Sequence, residues 1–241
     1  MEKKKLKTAP SIIAARWTPK NKNGGRTRLP SIRLSIYQVV LIAGIIAPVL
    51  LVITDIVGVL SGGQYNAVTQ SISDLGLGRT GWLQSAAFII FGITTISLAS
   101  ELYSEFGRSR ESRIGFGLMI LLGAGFILLG LFPTDPLGTY HSLHGFIHHY
   151  AAWAEGGLFP VTCFFFADLF KTKSKWNILN RYSIIAGLTG CVLVVVWAIL
   201  EKNWFGLSER LIILNGLIWF EVIAIHLRQV LKFPHNVREH N

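Results

Sequence analysis

Six long apolar segments dominate this sequence, and each approaches or exceeds the roughly 20 residues that a helix needs to cross a bilayer. They cover about residues 34–60, 81–103, 114–132, 140–170, 179–200 and 210–231. Hydrophobic residues make up 51% of the chain and charged residues only 15%, whereas a soluble domain carries about 25% charged residues. The sequence therefore predicts an all-α protein, a six-helix transmembrane bundle.

The remaining residues divide the chain into three parts. Residues 1–33 are basic and contain Pro and Gly without a sustained hydrophobic period, which is typical of a disordered tail. Residues 34–231 form the predicted six-helix membrane domain. Residues 232–241 are polar and form a second predicted tail.

The positions of the basic residues predict how the helices are oriented. Of the 23 Lys and Arg residues, 20 lie in the amino tail, in the loops 105–113 and 171–181 and at the carboxyl end from Arg228 onward, whereas only Arg79, Lys202 and Arg210 lie on the other side. Cytoplasmic loops of membrane proteins carry the excess of Lys and Arg. We therefore predict a multi-pass protein of the cell (plasma) membrane with both termini in the cytoplasm. The same placement accounts for the net charge of +10 without nucleic acid as a partner.

The stretch 135–155, at the start of the fourth segment, contains four of the seven histidines and two carboxylates. Ionisable side chains are costly within a bilayer, so such a cluster is by default a candidate functional site. Helical geometry places four of these side chains within about 60° of one another; they are His141, His144, His148 and Glu155. We expect this stripe to face the bundle interior and to line a polar pocket that descends from the outer surface.

Three roles are open for the histidines. His144 and His148 have the His-x-x-x-His spacing that lets two imidazoles on one helix reach the same metal ion. Asp135, Asp74 or His141 would supply the third ligand of a zinc-like divalent metal, and the favoured metal set is His144, His148 and Asp135. Alternatively, the imidazoles hydrogen-bond the loop backbone at the mouth of the helix. The third role is proton relay or ligand binding.

The loop 61–80 is predicted to lie at the same outer level of the membrane. It contains Ser71, Ser73 and Asp74 in the sequence Ser-Ile-Ser-Asp-Leu-Gly. These residues are candidates for binding or catalysis, and the alternative is a turn or a helix cap.

Three more charged residues reach this level from distant parts of the sequence. Asp55 ends the first segment, Asp135 precedes the fourth, and Arg210 opens the sixth. Asp135 is a candidate ligand or a cap for the fourth segment. Arg210 could hold a phosphate, but pairing with a carboxylate such as Glu209 or Asp74 is the more common role of such an arginine.

Several short motifs resemble those of a known family. They are Ser71-x-Ser73-x-Leu75-Gly76 followed by Gly81-Trp82, then Gly130-x-Phe132-Pro133-x-Asp135, then Gly145 with His144 and His148, and finally Glu209-Arg210-Leu211. Over about residues 35–230, the chain resembles the bacterial and archaeal membrane family called domain of unknown function 998. The resemblance implies a six-helix integral membrane protein with its most characteristic polar residues on the outer side, and it implies no established reaction.

That family is distantly similar to the Frag1, DRAM and Sfk1 group of six-helix proteins, some of which are linked to lipid remodelling or lipid distribution. A looser likeness connects the chain to hydrolases of the ceramidase and adiponectin-receptor type, which use Ser, Asp and three His around zinc. This likeness implies that Ser73, Asp74 or Asp135, and His144 with His148 have the roles of that Ser, Asp and His set. Those hydrolases have seven helices with the paired histidines on the last, whereas this chain has six predicted helices with the histidines on the fourth.

Two functional hypotheses follow. The first is an outer-side polar pocket that binds a lipid or other amphiphile, or helps to distribute it, with membrane lipids as partners. The second is a metal-assisted membrane hydrolase of a lipid or amphiphile, with Ser73, Asp74 and Asp135 as candidate catalytic residues. Whether the chain is an enzyme is left open, and no protein partner is indicated. The expected pocket residues are Ser71, Ser73, Asp135, His141, His144, His148, Glu155 and Arg210.

Overall fold

The structure of the chain is a computed structural model that describes residues 31–136, 139, 142–199 and 202–232. Its α-helices are α1 (Ser31–Ser61), α2 (Gly81–Phe106), α3 (Arg110–Leu131), α4 (Leu143–Phe170), α5 (Ile178–Ile199) and α6 (Phe205–Lys232). Short 3₁₀ helices cover Ile72–Leu77, Ser174–Trp176 and Lys202–Trp204. Every regular element in the described ranges is helical, which confirms the all-α prediction.

The chain divides into two compact units, Met1–Ile36 and Tyr37–Asn241. In the first unit, the structure describes only the backbone at the start of α1. The second unit contains the rest of α1 and all the other helices. Most of the predicted tails, 1–33 and 232–241, lies outside the described residues, so the predicted domain boundaries stay a prediction.

Five of the described helices are long and apolar enough to cross a membrane by length and composition. They are Gln38–Ser61 within α1, α2, α3, α5 and Phe205–Leu231 within α6. The chain is therefore a multi-pass membrane protein. The helix outside this set is α4, which carries three histidines and Glu155. Its 28 residues extend about 42 Å, which is long enough to cross a membrane. The six-pass count and the orientation of the termini stay predictions.

Many large apolar side chains on these helices face outward rather than into the protein. Ile46 is 56% exposed, Leu121 58% and Val192 62%, and similar residues occur along every α-helix. Lipid tails solvate such surfaces, whereas water does not. The exposed apolar faces therefore agree with a protein surrounded by lipid.

Helices α2 and α3 pack closely along one another. At their contact, Gly123 lies against the backbone of α2, and a Cβ at that position would come within 2.7 Å of the Gly92 carbonyl oxygen. Small residues allow membrane helices to approach in this way. The glycines of α3 therefore permit close packing against α2.

Polar side chains also join neighbouring helices. The Asn215 amide on α6 donates to the Ala186 carbonyl oxygen on α5 at 3.0 Å, and Trp219 Nε1 donates to Ser183 Oγ at 3.0 Å. A helix-to-helix hydrogen bond thus satisfies the Asn215 amide. These bonds fix how α5 and α6 face each other, and thereby which α6 residues face the interior.

We predict that Gly123→Val destabilises the protein by about 2 kcal/mol, because its side chain must push α2 and α3 apart. The measurement is the midpoint of thermal unfolding of the purified protein in detergent. Gly117→Val on the same helix is the matched control, since a Cβ at Gly117 has no neighbour within 4 Å. Equal midpoints for the two variants would contradict the close packing.

Candidate functional site

His148 connects α4 to two other parts of the chain. Its side chain is only 5% exposed, and its Nδ1 lies 2.7 Å from the Phe132 carbonyl oxygen just after α3. Its Nε2 lies 2.8 Å from Ser73 Oγ in the 3₁₀ helix Ile72–Leu77. Because a carbonyl oxygen only accepts hydrogen bonds, Nδ1 carries the hydrogen, and Nε2 of the neutral ring accepts from the Ser73 hydroxyl.

The position of Ser73 is set by the residues around it. Ser71 Oγ accepts from the Asp74 amide at 3.0 Å, and Asp74 Oδ2 accepts from the Ser71 amide at 2.9 Å. This capping box starts the 3₁₀ helix, so the capping interpretation holds for Ser71 and Asp74. From α6, Glu209 Oε2 accepts from the Ile72 amide at 2.8 Å. Ser73 is thus held between α4 and α6.

Arg210 occupies an internal network beside this helix. Its guanidinium binds both carboxylate oxygens of Asp55 on α1, at 3.1 and 2.9 Å, and donates to the Tyr65 hydroxyl at 2.6 Å. It also donates to the carbonyl oxygens of Ala67, Gln70 and Gly206. The expected ion pair is present, but its partner is Asp55 rather than Glu209 or Asp74. Arg210 therefore joins α1, α6 and the loop between α1 and the 3₁₀ helix.

Tyr65 completes the network from that loop. Burial is the main cause that raises its pKa to about 12, although the neighbouring Arg210 acts in the opposite direction. The phenol is therefore protonated at physiological pH, and its single hydrogen is shared between the backbone carbonyl oxygens of Ser71, at 2.6 Å, and Gln70, at 3.0 Å. Tyr65 and Arg210 together satisfy the backbone just before the 3₁₀ helix.

A cavity of about 80 Å³ lies directly beyond Ser73. Its wall is mainly apolar and contains residues from α2 to α6 as well as from the 3₁₀ helix. The polar residues that line it are Ser73, Glu155 and Glu209. The aromatic residues that line it are Phe88, Phe91, Phe126, Phe159, Trp197 and Phe220.

Two polar atoms of this wall are buried without a hydrogen-bond partner among the described residues. They are Glu155 Oε2 on α4 and the indole Nε1 of Trp197 on α5. The Glu155 carboxylate lies against Gly125 of α3, where a Cβ would overlap it. Buried polar groups are normally paired, and each exception needs an explanation. A ligand with a donor for Glu155 and an acceptor for Trp197 would satisfy both.

The sequence profile of the family described as "Protein of unknown function (DUF998)" matches residues 45–226. The chain belongs to this family. No curated protein and no solved structure matches it significantly. The sequence-based resemblance to domain of unknown function 998 is thereby confirmed, and the distant similarity to the Frag1, DRAM and Sfk1 group stays a prediction.

In this DUF998 protein, Asp135 organises the start of α4. Its carboxylate accepts from the Ser142 amide at 3.0 Å and from Ser142 Oγ at 2.6 Å, while Ser142 Oγ caps the helix by accepting from the Gly145 amide. Ser142 is thus the cap, and Asp135 holds it in place. His144 is exposed and packs against the Phe132 ring, with centroids 5.5 Å apart.

The predicted pocket residues are only partly brought together. Ser73 and Glu155 line the cavity of the DUF998 protein, and His148 contacts it through Ser73. Ser71, Asp135 and Arg210 bind backbone or other side chains, as described above. His141 lies outside the described residues.

The predicted metal ligands do not form a ligand cluster. Among the described residues, no group of three or more His, Cys, Asp or Glu side chains is arranged to hold a metal ion. Both ring nitrogens of His148 already face protein oxygen atoms, and Asp135 binds Ser142. The set His144, His148 and Asp135 therefore has no support in the geometry.

Sequence reasoning missed Trp197 and the role of Glu209. A signal for Glu209 was present, because one face of α6 carries cavity-lining residues at helical spacing; these are Glu209, Ile212, Ile213, Gly216 and Phe220. For Trp197, no comparable pattern exists in α5.

We predict that Asp55→Ala destabilises the protein by on the order of 3 kcal/mol, because it leaves the Arg210 guanidinium without its counter-charge. The side chains of this pair are only 15% and 17% exposed. The measurement is thermal unfolding in detergent.

Asp168→Ala is the matched control. Asp168 pairs with Lys171 at 2.8 Å, but these side chains are 80% and 54% exposed, so its loss should cost less than about 1 kcal/mol. An Asp55→Ala variant as stable as the control would show that the Arg210 network does not hold α1 and α6 together.

Proposed function

We propose that this DUF998 protein binds a lipid or other amphiphile in the aromatic cavity, with the polar part of the ligand at Glu155 and Trp197. The observation that carries the proposal is the pair of buried, unpartnered polar atoms in a mainly apolar wall. Small-molecule sites combine a largely apolar wall with a few polar groups that orient the ligand. An amphiphile has an apolar part that suits the wall and a polar part that can bind Glu155 and Trp197.

In the proposed topology the chain crosses the plasma membrane six times with both termini in the cytoplasm. The distribution of Lys and Arg supports this orientation. The Ser73 end of the cavity then lies toward the outer side, because the loop before α2 is extracytoplasmic. A ligand would come from the outer leaflet or from beyond it, and the protein would retain it or help to distribute it.

Gly216 offers a direct test of this proposal. It lines the cavity, and a Cβ there would be 3.8 Å from Phe159, an ordinary contact distance. A leucine side chain at this position would thus extend into the cavity without displacing a helix. We predict that Gly216→Leu weakens ligand retention by roughly tenfold or more, because the leucine side chain occupies space that the ligand needs. A tenfold loss of affinity corresponds to about 1.4 kcal/mol of binding free energy.

The measurement is mass spectrometry of the membrane lipids that stay bound to the protein after purification in mild detergent. Gly157→Leu is the matched control, because Gly157 also lies on a helix of this region and a Cβ there has no neighbour within 4 Å. If wild type, Gly216→Leu and Gly157→Leu retain the same amphiphiles in the same amounts, the cavity is not the binding site.

A further inference from the structure

The contacts of Ser73 form an arrangement that can activate its hydroxyl group. Ser73 Oγ lies 2.8 Å from His148 Nε2, and His148 Nδ1 lies 2.7 Å from the Phe132 carbonyl oxygen. The carbonyl fixes the hydrogen on Nδ1, so Nε2 is the acceptor for the hydroxyl proton. A nucleophile, a base within hydrogen-bond distance and a third group that orients the base are the parts of an activated serine.

Ser73 is also accessible from the space that a substrate would occupy. It is partly buried and lines the aromatic cavity, whereas its base His148 is almost fully buried. A serine that only joined two helices would not need to line a cavity. The cavity therefore gives Ser73 Oγ a place in which to meet the reacting carbon of a bound amphiphile.

The cavity wall indicates which substrates fit. Because the cavity measures only about 80 Å³, its aromatic and aliphatic wall suits a short acyl or alkyl group, and the carboxyl groups of Glu155 and Glu209 line the same space. No Lys or Arg side chain is among the described residues that line the cavity, so a negatively charged substrate would have no counter-charge there. The favoured substrates are therefore hydrophobic esters that are uncharged or cationic.

We propose that Ser73 and His148 are a nucleophile and general base that hydrolyse a carboxylic ester of such an amphiphile. The proposal rests on the proposed function for the binding of the substrate, and it adds a reaction at the same cavity. It also differs from the sequence-based hydrolase hypothesis, because His148 acts here as a base toward Ser73 instead of as a metal ligand.

The reaction has two balanced steps. Ser73 Oγ bonds to the carbonyl carbon while His148 Nε2 takes the hydroxyl proton, and this proton then passes to the departing alcohol as the ester C–O bond breaks. In the second step, water bonds to the acyl carbon and gives a proton to Nε2. That proton returns to Ser73 Oγ as the acyl–serine bond breaks, which releases a carboxylic acid. The overall change is ester plus water to alcohol plus acid.

The test uses an uncharged alkyl fluorophosphonate, which an activated serine attacks with loss of fluoride. Full-length wild-type protein in mild detergent is incubated with this probe, and mass spectrometry of its peptides locates the adduct. We expect the adduct on Ser73, a result that does not depend on whether any variant folds. A known serine hydrolase in the same tube reports that the probe is active.

Two variants and a control separate catalysis from structure. Ser73→Ala should lose the adduct. His148→Asn keeps a side-chain donor for the Phe132 carbonyl oxygen but removes the base, so labelling should slow by about 100-fold or more. Ser97→Ala, which alters a partly buried serine that bonds the backbone of α2, should label like wild type.

The outcomes also distinguish this inference from the proposed function. A wild-type protein that retains amphiphiles lost in Gly216→Leu, yet gives no Ser73 adduct while the added hydrolase reacts, overturns the reaction and leaves the binding site. Labelling of His148→Asn at the wild-type rate likewise overturns the role of His148. An adduct on Ser73 that depends on His148 supports the pair even if no endogenous lipid is retained.

Discussion

A charged side chain among apolar helices must find its partners inside the protein, and the pairing of Arg210 is the interaction on which this end of the molecule depends. The guanidinium binds Asp55 and Tyr65 as well as three backbone carbonyl oxygens. It thereby ties α1 and α6 to the loop that precedes the 3₁₀ helix Ile72–Leu77. Because that loop is held, the 3₁₀ helix can present Ser73 to His148.

The parts of the fold that depend on local sequence were predictable. The length of each apolar segment placed the helices within about five residues of their bounds. The Ser71 and Asp74 capping pair follows from a spacing of three residues, and the interhelical role of Asn215 follows from the cost of an unpaired amide in an apolar helix. Each of these inferences needs only neighbours in the chain or a general solvation argument.

The partners across the molecule were not predictable in the same way. Asp55 and Arg210 are 155 positions apart, and hydropathy gives the depth of a helix but not its rotation about its own axis. A rotation of one residue, about 100°, decides whether a side chain faces lipid or the interior. The helical stripe of α4 placed His148 and Glu155 inward correctly, yet it also included His144, which is exposed. Trp197 had no sequence signal, because its role depends on the cavity that the other helices leave unfilled.

The contact between Gly125 and Glu155 links two positions through a shared volume. The carboxylate fills the space that a Cβ at position 125 would need, so a methyl group there would displace the acid and leave the helix backbones in place. A larger residue at position 125 and the present position of the Glu155 carboxylate are thus incompatible in this chain. Exchanging this single small residue on the opposing helix would therefore move the carboxyl group along the cavity or withdraw it from the cavity.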